Sequence, residues 1–365
     1  HIAAGVNLNL PLVGSLLRRG GAFFMRRTFK EDLLYKAVFD EYLHLMLSKG
    51  HSIEYFIEGG RSRTGSMLNP RIGMISMTLN GYYKDNTKEL TFMPVYFSYE
   101  KVMEINSYIG ELAGRKKSKE TLGGLLTTLK LLKQDFGQVA VSFGEPLNLR
   151  AYLSELAPDW HTHLPEDMQR KTSISLAHEL SQRINDAAVL NTVNITAFAI
   201  LCTLRNAIEM GRLESQITFL LRVSDNQLKT SLLDQAAEDI IENALRITGL
   251  EKSTSAAGTI IKADPGNHVE LRYYYNNVIH LFAIPSLVAR ILRHRNDIGY
   301  QNLIDEVNLV LPFITNELLI KNNPLSTRTA VDRLLSTLEA ENLLIRQQNQ
   351  LNVQQHPIET YLGLY

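Results

Sequence analysis

The stretch IEYFIEGGRSRTGSML, Ile53 to Leu68, sets an apolar run directly before a loop holding Gly59, Gly60, Arg61, Ser62, Arg63 and Thr64. A strand feeding a glycine-rich turn invites comparison with the nucleotide-binding P-loop, GxxxxGK followed by Ser or Thr. Gly60 and Gly65 keep the GxxxxG spacing, but Ser66 stands where the phosphate-contacting lysine belongs, so that comparison fails. Arg61 and Arg63 instead carry guanidinium forks that engage phosphate oxygens in pairs, and Ser62 with the amides near Gly59 and Gly60 adds donors. The natural ligand for such a loop is a phosphate monoester. Glu58 repels phosphate but accepts hydrogen bonds from hydroxyls, so a phosphorylated polyol satisfies both kinds of residue. The competing reading is a solvated ion-pair cluster at a strand end.

A second segment, RRGGAFFMRRTF from Arg18 to Phe29, places two glycines before a short aromatic strand that ends in Arg26 and Arg27. Two strand ends loaded with arginine favour one shared anion site, because α/β folds bind ligands at strand ends. A third, FMPVYFSYE from Phe92 to Glu100, has Pro94 inside an apolar run, which predicts an edge strand, a bulge or a strand end. Hydrophobic periodicity predicts strands over Ala22–Arg26, Ile53–Ile57, Leu90–Phe97 and Gln138–Phe143. Helices are predicted over Glu31–Lys49, with Gly50 as its C-terminal cap, and over Ile72–Tyr83, Val102–Lys133 and Met168–Val189.

This alternation gives an α/β fold class, a mixed sheet with helices on both faces, in a domain over residues 1–190. Residues 191–365 form a second, mostly helical domain. Its end, LLSTLEAENLLIRQQNQLNVQ, reads as a helix followed by two short strands around Gln347 to Gln350, as in a winged helix. No internal repeat is evident.

At 365 residues, 45% hydrophobic and 21% charged, the chain is long enough to bury real cores. Lys plus Arg equals Asp plus Glu at 38 each, which argues against a nucleic-acid-binding surface. The lone cysteine, Cys202, sits in an apolar run and reads as a small buried side chain, so no disulfide framework is expected. The longest apolar stretches are too short or too interrupted to span a bilayer. The chain starts at His1 with residues that already read as the interior of a domain, so a fragment is expected.

GAFFMRRTF, FIEGGRSRTGSML and FMPVYFSYEKV resemble the second, third and fourth sequence blocks of the bacterial membrane-associated glycerol-3-phosphate acyltransferases, and SFGEP (Ser142–Pro146) and YYYNNVIHLF (Tyr273–Phe282) extend the resemblance. That family belongs to the glycerolipid acyltransferase superfamily, with dihydroxyacetone-phosphate acyltransferase. The resemblance implies transfer of a fatty acyl group from acyl-CoA or acyl carrier protein to the sn-1 hydroxyl of glycerol 3-phosphate. It assigns glycerol phosphate binding to Phe24, Arg27, Glu58, Gly59, Arg61 and Ser62, with Pro94 shaping the pocket. It also implies a place on the cytoplasmic face of a bacterial inner membrane, in contact with lipids but without a spanning helix, and no metal or cofactor beyond the acyl donor.

The family's first block, HxxxxD, supplies a general base and the aspartate that orients it. None of the ten histidines here has an aspartate five positions on, and the catalytic pair is expected upstream of His1. His161 with Glu166 comes nearest, but follows the substrate blocks in a proline-containing loop. The run HTHLPE is read as solvated rather than metal-binding. Arg115, Lys116, Lys117 and Lys119 are read as a solvated helix end, with docking of anionic lipid or of the acidic carrier protein as the alternative. Acylation of dihydroxyacetone phosphate and a non-catalytic binding or scaffold role remain the competing functions.

Overall fold

The computed structural model describes the chain except for residues 12, 27, 30–31, 113, 115–134, 159, 161–164, 204–206, 225–229, 257, 296, 322 and 355–365. Strand β1 (Ile2–Gly5) runs parallel to β2 (Ala22–Met25), with Ile2 opposite Ala22 and Gly5 opposite Met25, and helix α1 (Val13–Arg19) connects them. The predicted strand Ile53–Ile57 is not formed. It adds a single parallel bridge, Glu54 opposite Ile2, in which Glu54 N–H donates to the His1 carbonyl (2.7 Å) and Ala3 N–H to the Glu54 carbonyl (2.8 Å). Beyond Glu54 the chain turns away, because the Phe56 and Ile57 carbonyls accept from Gly59 and Arg71 N–H instead of from β1.

Helix α2 (Leu33–Ser48) starts at Asp32, whose carboxylate caps Tyr35 N–H at 2.8 Å, and Gly50 follows its end with φ +79°. Helix α3 (Ile72–Lys84) buries Met77 against Phe39 and Leu43 of α2, and Ile75 and Leu79 in a second cluster. The predicted run Leu90–Phe97 divides at proline: β3 (Thr91–Phe92), then Met93 and Pro94 unpaired, then β4 (Val95–Tyr99). Pro94 has no N–H to give a ladder, and its carbonyl accepts from Gly144 (2.8 Å).

Of the predicted helix Val102–Lys133, α4 (Ile105–Leu112) is formed, and most of the remainder lies outside the described residues. Strand β5 (Val139–Phe143) pairs antiparallel with β4, and β6 (Leu147–Asn148) with β3. Helices α5 (Leu149–Leu156) and α6 (Glu166–Asp186) complete the region, with Leu176 and Leu180 packed in the cluster of Ile75 and Leu79. The mixed α/β class thus stands, with the sheet divided into short ladders.

The helical region opens with α7 (Thr192–Leu201), capped by reciprocal hydrogen bonds between Asn191 and Asn194, then β7 (Ala207–Glu209), α8 (Met210–Ser224), α9 (Ala237–Thr248) and the hairpin β8 (Lys252–Ser255) and β9 (Gly258–Lys262). The same order then recurs: α10 (Pro265–His294), β10 (Asp297–Gly299), α11 (Tyr300–Leu318), α12 (Pro324–Ala340) and the hairpin β11 (Leu344–Gln347) and β12 (Gln350–Val353). Both three-stranded sheets place the last strand in the middle, β7-β9-β8 and β10-β12-β11. This is winged-helix order twice, where the sequence showed no repeat. The two copies share buried apolar positions 90 residues apart, Ile208 and Ile298, Leu213 and Leu303, Ile217 and Val307, Ile261 and Leu351. Such sparse positions leave no periodic signal. Cys202 is buried, and burial pushes its thiol up to about 12, as an inert core residue requires.

The two regions are joined by a buried carboxylate. Glu100, 4% exposed, accepts from Gln138 N–H (2.8 Å), the Thr192 hydroxyl of α7 (2.7 Å) and the Asn243 amide of α9 (3.1 Å). Glu100→Ala would leave the Gln138 N–H and the Thr192 hydroxyl without their acceptor, while Asn243 keeps its bond to the Thr192 oxygen (2.7 Å), and should lower unfolding stability by about 2–3 kcal/mol, with Glu100→Gln costing less. Denaturant midpoints of the two variants check this; an unchanged midpoint for Glu100→Ala would show that the carboxylate does not hold the regions together.

Candidate functional site

The loop after Ile57 is fixed by its own short contacts. Glu58 accepts from Leu68 N–H at 3.0 Å, and burial raises its carboxyl above the ordinary range, opposed by that hydrogen bond. The Ser62 hydroxyl accepts from Gly65 N–H (3.0 Å) and Thr64 N–H (3.3 Å), which curls the loop. Arg63 is locked: its Nε donates to Glu111 of α4 (2.8 Å), its Nη1 to the Arg61 carbonyl (2.7 Å), and its guanidinium lies 4.8 Å from the Tyr108 ring centre. Arg61 pairs with Glu104, just before α4, in an exposed ion pair, and Tyr108 Oη donates to the same carboxylate at 2.8 Å. The two loop arginines therefore differ in kind, one half-buried in structure and one presented outward.

Glu58, Arg61, Ser62 and Pro94 line one cavity of about 1440 Å³, with Tyr96 of β4 and Tyr273 of α10. Burial pushes Tyr273 up to about 12 and raises Tyr96 as well, so both phenols stay protonated near neutrality. A second wall is apolar. Along the β4–β5 ladder Phe97 stands opposite Val141, and Tyr99 opposite Val139, all facing the cavity and exposed, while Ser98 and Ser142 point inward and are buried. This reverses the usual apolar-in, polar-out alternation. His280 of α10 also lines the cavity; its Nε2 is 3.2 Å from the Asn185 carbonyl, and burial lowers its pKa to about 4, so the ring is neutral and its Nε2–H donates there.

Gly59 forms the turn beside Glu58 with φ +60° and is not on the cavity wall. Phe24 lies on β2, away from this cavity, with the Arg18 guanidinium 5.1 Å from its ring centre. Arg26 pairs with Asp32 at 2.8 Å and covers Tyr35, so it does not join Arg61. Arg27 lies outside the described residues, as do Arg115, Lys116, Lys117, Lys119, His161 and His163. Among the described residues no cluster of three metal-ligating side chains occurs, and no helix is long and apolar enough to cross a membrane.

Residue reading missed the partners of the loop: Glu104 and Glu111 on one side, and on the other Asn276 and Asn277, whose amides donate to the Thr64 carbonyl (2.7 Å) and the Gly65 carbonyl (2.9 Å). The available signal was the pair of adjacent asparagines within a long helix, where their propensity is poor.

Residues 108–363 match the family model of the glycerol-3-phosphate acyltransferase C-terminal region, and residues 1–98 match the acyltransferase model. Among curated proteins, the glycerol-3-phosphate acyltransferases of Pseudomonas aeruginosa (strain LESB58), Pseudomonas putida (strain GB-1) and Pseudomonas entomophila (strain L48) are each 40% identical over 366, 365 and 365 residues. Each alignment covers 98% of this chain and 44% of the relative, so the chain spans less than half the length of the curated relatives it matches. One model covers the arginine loop and most of β4, the other β5 and α10, so both contribute walls of the cavity, and the chain belongs to the glycerol-3-phosphate acyltransferase family.

Proposed function

We propose that this chain holds the acceptor in a glycerol-3-phosphate acyltransferase, with Arg61 on the phosphate and Glu58 on the free hydroxyl. The observation that carries the reading is the cavity itself, which sets an outward arginine and a half-buried carboxylate beside an apolar sheet face. A phosphorylated polyol matches the first two, and a fatty acyl chain matches the third. In the reaction the sn-1 hydroxyl loses its proton to a general base and attacks the thioester carbonyl, and thiolate leaves from acyl-CoA or acyl carrier protein to give lysophosphatidic acid. The chain carries no HxxxxD pair, so the base comes from elsewhere in the protein that contains it. The donor is the only co-substrate, with no metal or cofactor. The protein works at the cytoplasmic face of a bacterial inner membrane, where the lipid product is used. Glycerol 3-phosphate is preferred to dihydroxyacetone phosphate because only the former offers Glu58 a second hydroxyl.

A magnitude decides whether phosphate can take Arg61 from Glu104. Exposed ion pairs contribute about 0–1 kcal/mol, whereas hydrogen bonds to charged groups contribute about 1.5–3 kcal/mol. The dianion wins. In the full-length protein, Arg61→Ala should lower kcat/KM by about 10- to 150-fold, mostly through KM for glycerol 3-phosphate, with Arg61→Lys between it and wild type because lysine lacks the fork. A rise confined to the acyl-CoA KM would place the donor's phosphates on this loop instead.

Glu104→Gln removes the competing carboxylate and should lower the KM for glycerol 3-phosphate by up to about fivefold. Steady-state kinetics against both substrates checks it, and a raised KM would mean that Glu104 orients Arg61 rather than competes for it. The 365-residue chain alone should transfer no acyl group, and a radiolabelled acyl-transfer assay showing family-like rates would return attention to its own histidines.

A further inference from the structure

We propose that Asn276 and Asn277 of α10 are positioning residues that set the Arg61 guanidinium for the acceptor phosphate. The inference rests on the reading of the Arg61 loop as the phosphate seat. Two consecutive amide side chains donate to two consecutive loop carbonyls, Asn276 to Thr64 (2.7 Å) and Asn277 to Gly65 (2.9 Å), across more than two hundred residues of sequence. Asn277 donates again to the Tyr273 carbonyl one helical turn back (3.1 Å), which orients its own amide.

The loop is pressed onto the helix at the same point. Gly65 has φ +86°, and a Cβ built there would stand 2.0 Å from the Tyr273 carbonyl oxygen, so only glycine allows this approach. From that contact the path to the arginine is short. Gly65 N–H donates to the Ser62 hydroxyl (3.0 Å), and Ser62 follows Arg61 in the chain. The Arg61 carbonyl is held by Arg63, itself anchored on Glu111. Each stem of the turn is thus tied to a helix, and Arg61 alone of its charged groups is left outward. Small displacements of a binding group cost rate steeply, so removing either amide should act on the substrate that Arg61 holds.

The test uses the full-length protein and steady-state kinetics with glycerol 3-phosphate and acyl-CoA varied in turn. Asn276→Ala and Asn277→Ala should each raise the glycerol 3-phosphate KM about 3- to 10-fold, the effect of one hydrogen bond, with kcat and the acyl-CoA KM within twofold. Asn276→Gln keeps the donor and should recover part of the loss. Asn276→Asp, which turns a carboxylate to a carbonyl oxygen near the phosphate, should lose more than alanine. In the Arg61→Ala background the asparagine substitutions should add nothing, because their effect passes through that side chain.

Asn277 is half-buried and its alanine variant can lose stability, so Asn276, whose contact is exposed, provides the independent reading, with the melting midpoint recorded for each. The inference is overturned if the alanine variants leave the glycerol 3-phosphate KM unchanged while Arg61→Ala raises it. It is equally overturned if their effects add fully to that of Arg61→Ala, or if kcat falls together with the melting midpoint. An Arg61→Ala variant with an unaltered glycerol 3-phosphate KM defeats the underlying reading of the loop, and this inference with it.

Discussion

The close approach of Gly65 to the Tyr273 carbonyl constrains everything around the cavity. A backbone-to-backbone contact of this kind admits no side chain between the partners, so the arginine loop and α10 must hold a fixed distance. Helix α10 meets that demand with two stripes. Leu271, Tyr274, Val278 and Phe282 recur at helical spacing and are buried in the helical region, while Tyr273, Asn277 and His280 recur on another side and face the cavity. Tyr274 also ties the helix back to the first region, its hydroxyl accepting from Val102 N–H at 3.1 Å. The segment YYYNNVIH is therefore two interleaved patterns, one for the core and one for the site.

Electrostatic pairing sorts the arginines that the sequence offers. Arg26 is spent on Asp32 and Arg63 on Glu111, where the hydrogen bond from Nε to a half-buried carboxylate raises the Arg63 pKa further and makes exchange with a ligand costly. Arg61 has the most solvent-exposed of the loop's ion pairs, and exposed pairs are the ones that a dianion can exchange. Equal numbers of cations and anions in the chain conceal this ordering, since it depends on which partner each arginine meets.

Local chemistry carried much of the fold. Asp32 and Gly50 bound α2 as cap residues do, and Pro94 divides its run where the missing N–H requires. The Ile53–Ile57 strand failed because the carbonyls of Phe56 and Ile57 serve the turn and the returning chain, a competition that apolar patterning does not register. Reading β4 and β5 by alternation alone would also bury the wrong face. Phe97 and Val141 face the cavity because Ser98 is held on the other side by Val189 and Asn191, contacts more than ninety residues distant. Of the residues singled out in the sequence, Glu58, Arg61, Ser62 and Pro94 line the cavity, whereas Glu104, Asn276 and Asn277 were illegible because only folding brings them near.

The repeated winged-helix order explains why the helical region reaches the cavity chiefly through α10, with Glu317 and Leu318 at the end of α11 beside it. With the 90-residue offset of the buried positions, α7 corresponds to residues 282–291, the later part of α10. The earlier part, residues 265–281, has no counterpart in the first unit, and it carries Tyr273, Asn276, Asn277 and His280. Helix α7 spans 10 residues and lies buried between its neighbours, whereas α10 spans 30. The added turns bury Leu271, Tyr274 and Val278 in the core on one side and on the other supply the surface onto which the arginine loop is pressed. One unit thus keeps its first helix for packing, and the other lengthens it into a wall of the site.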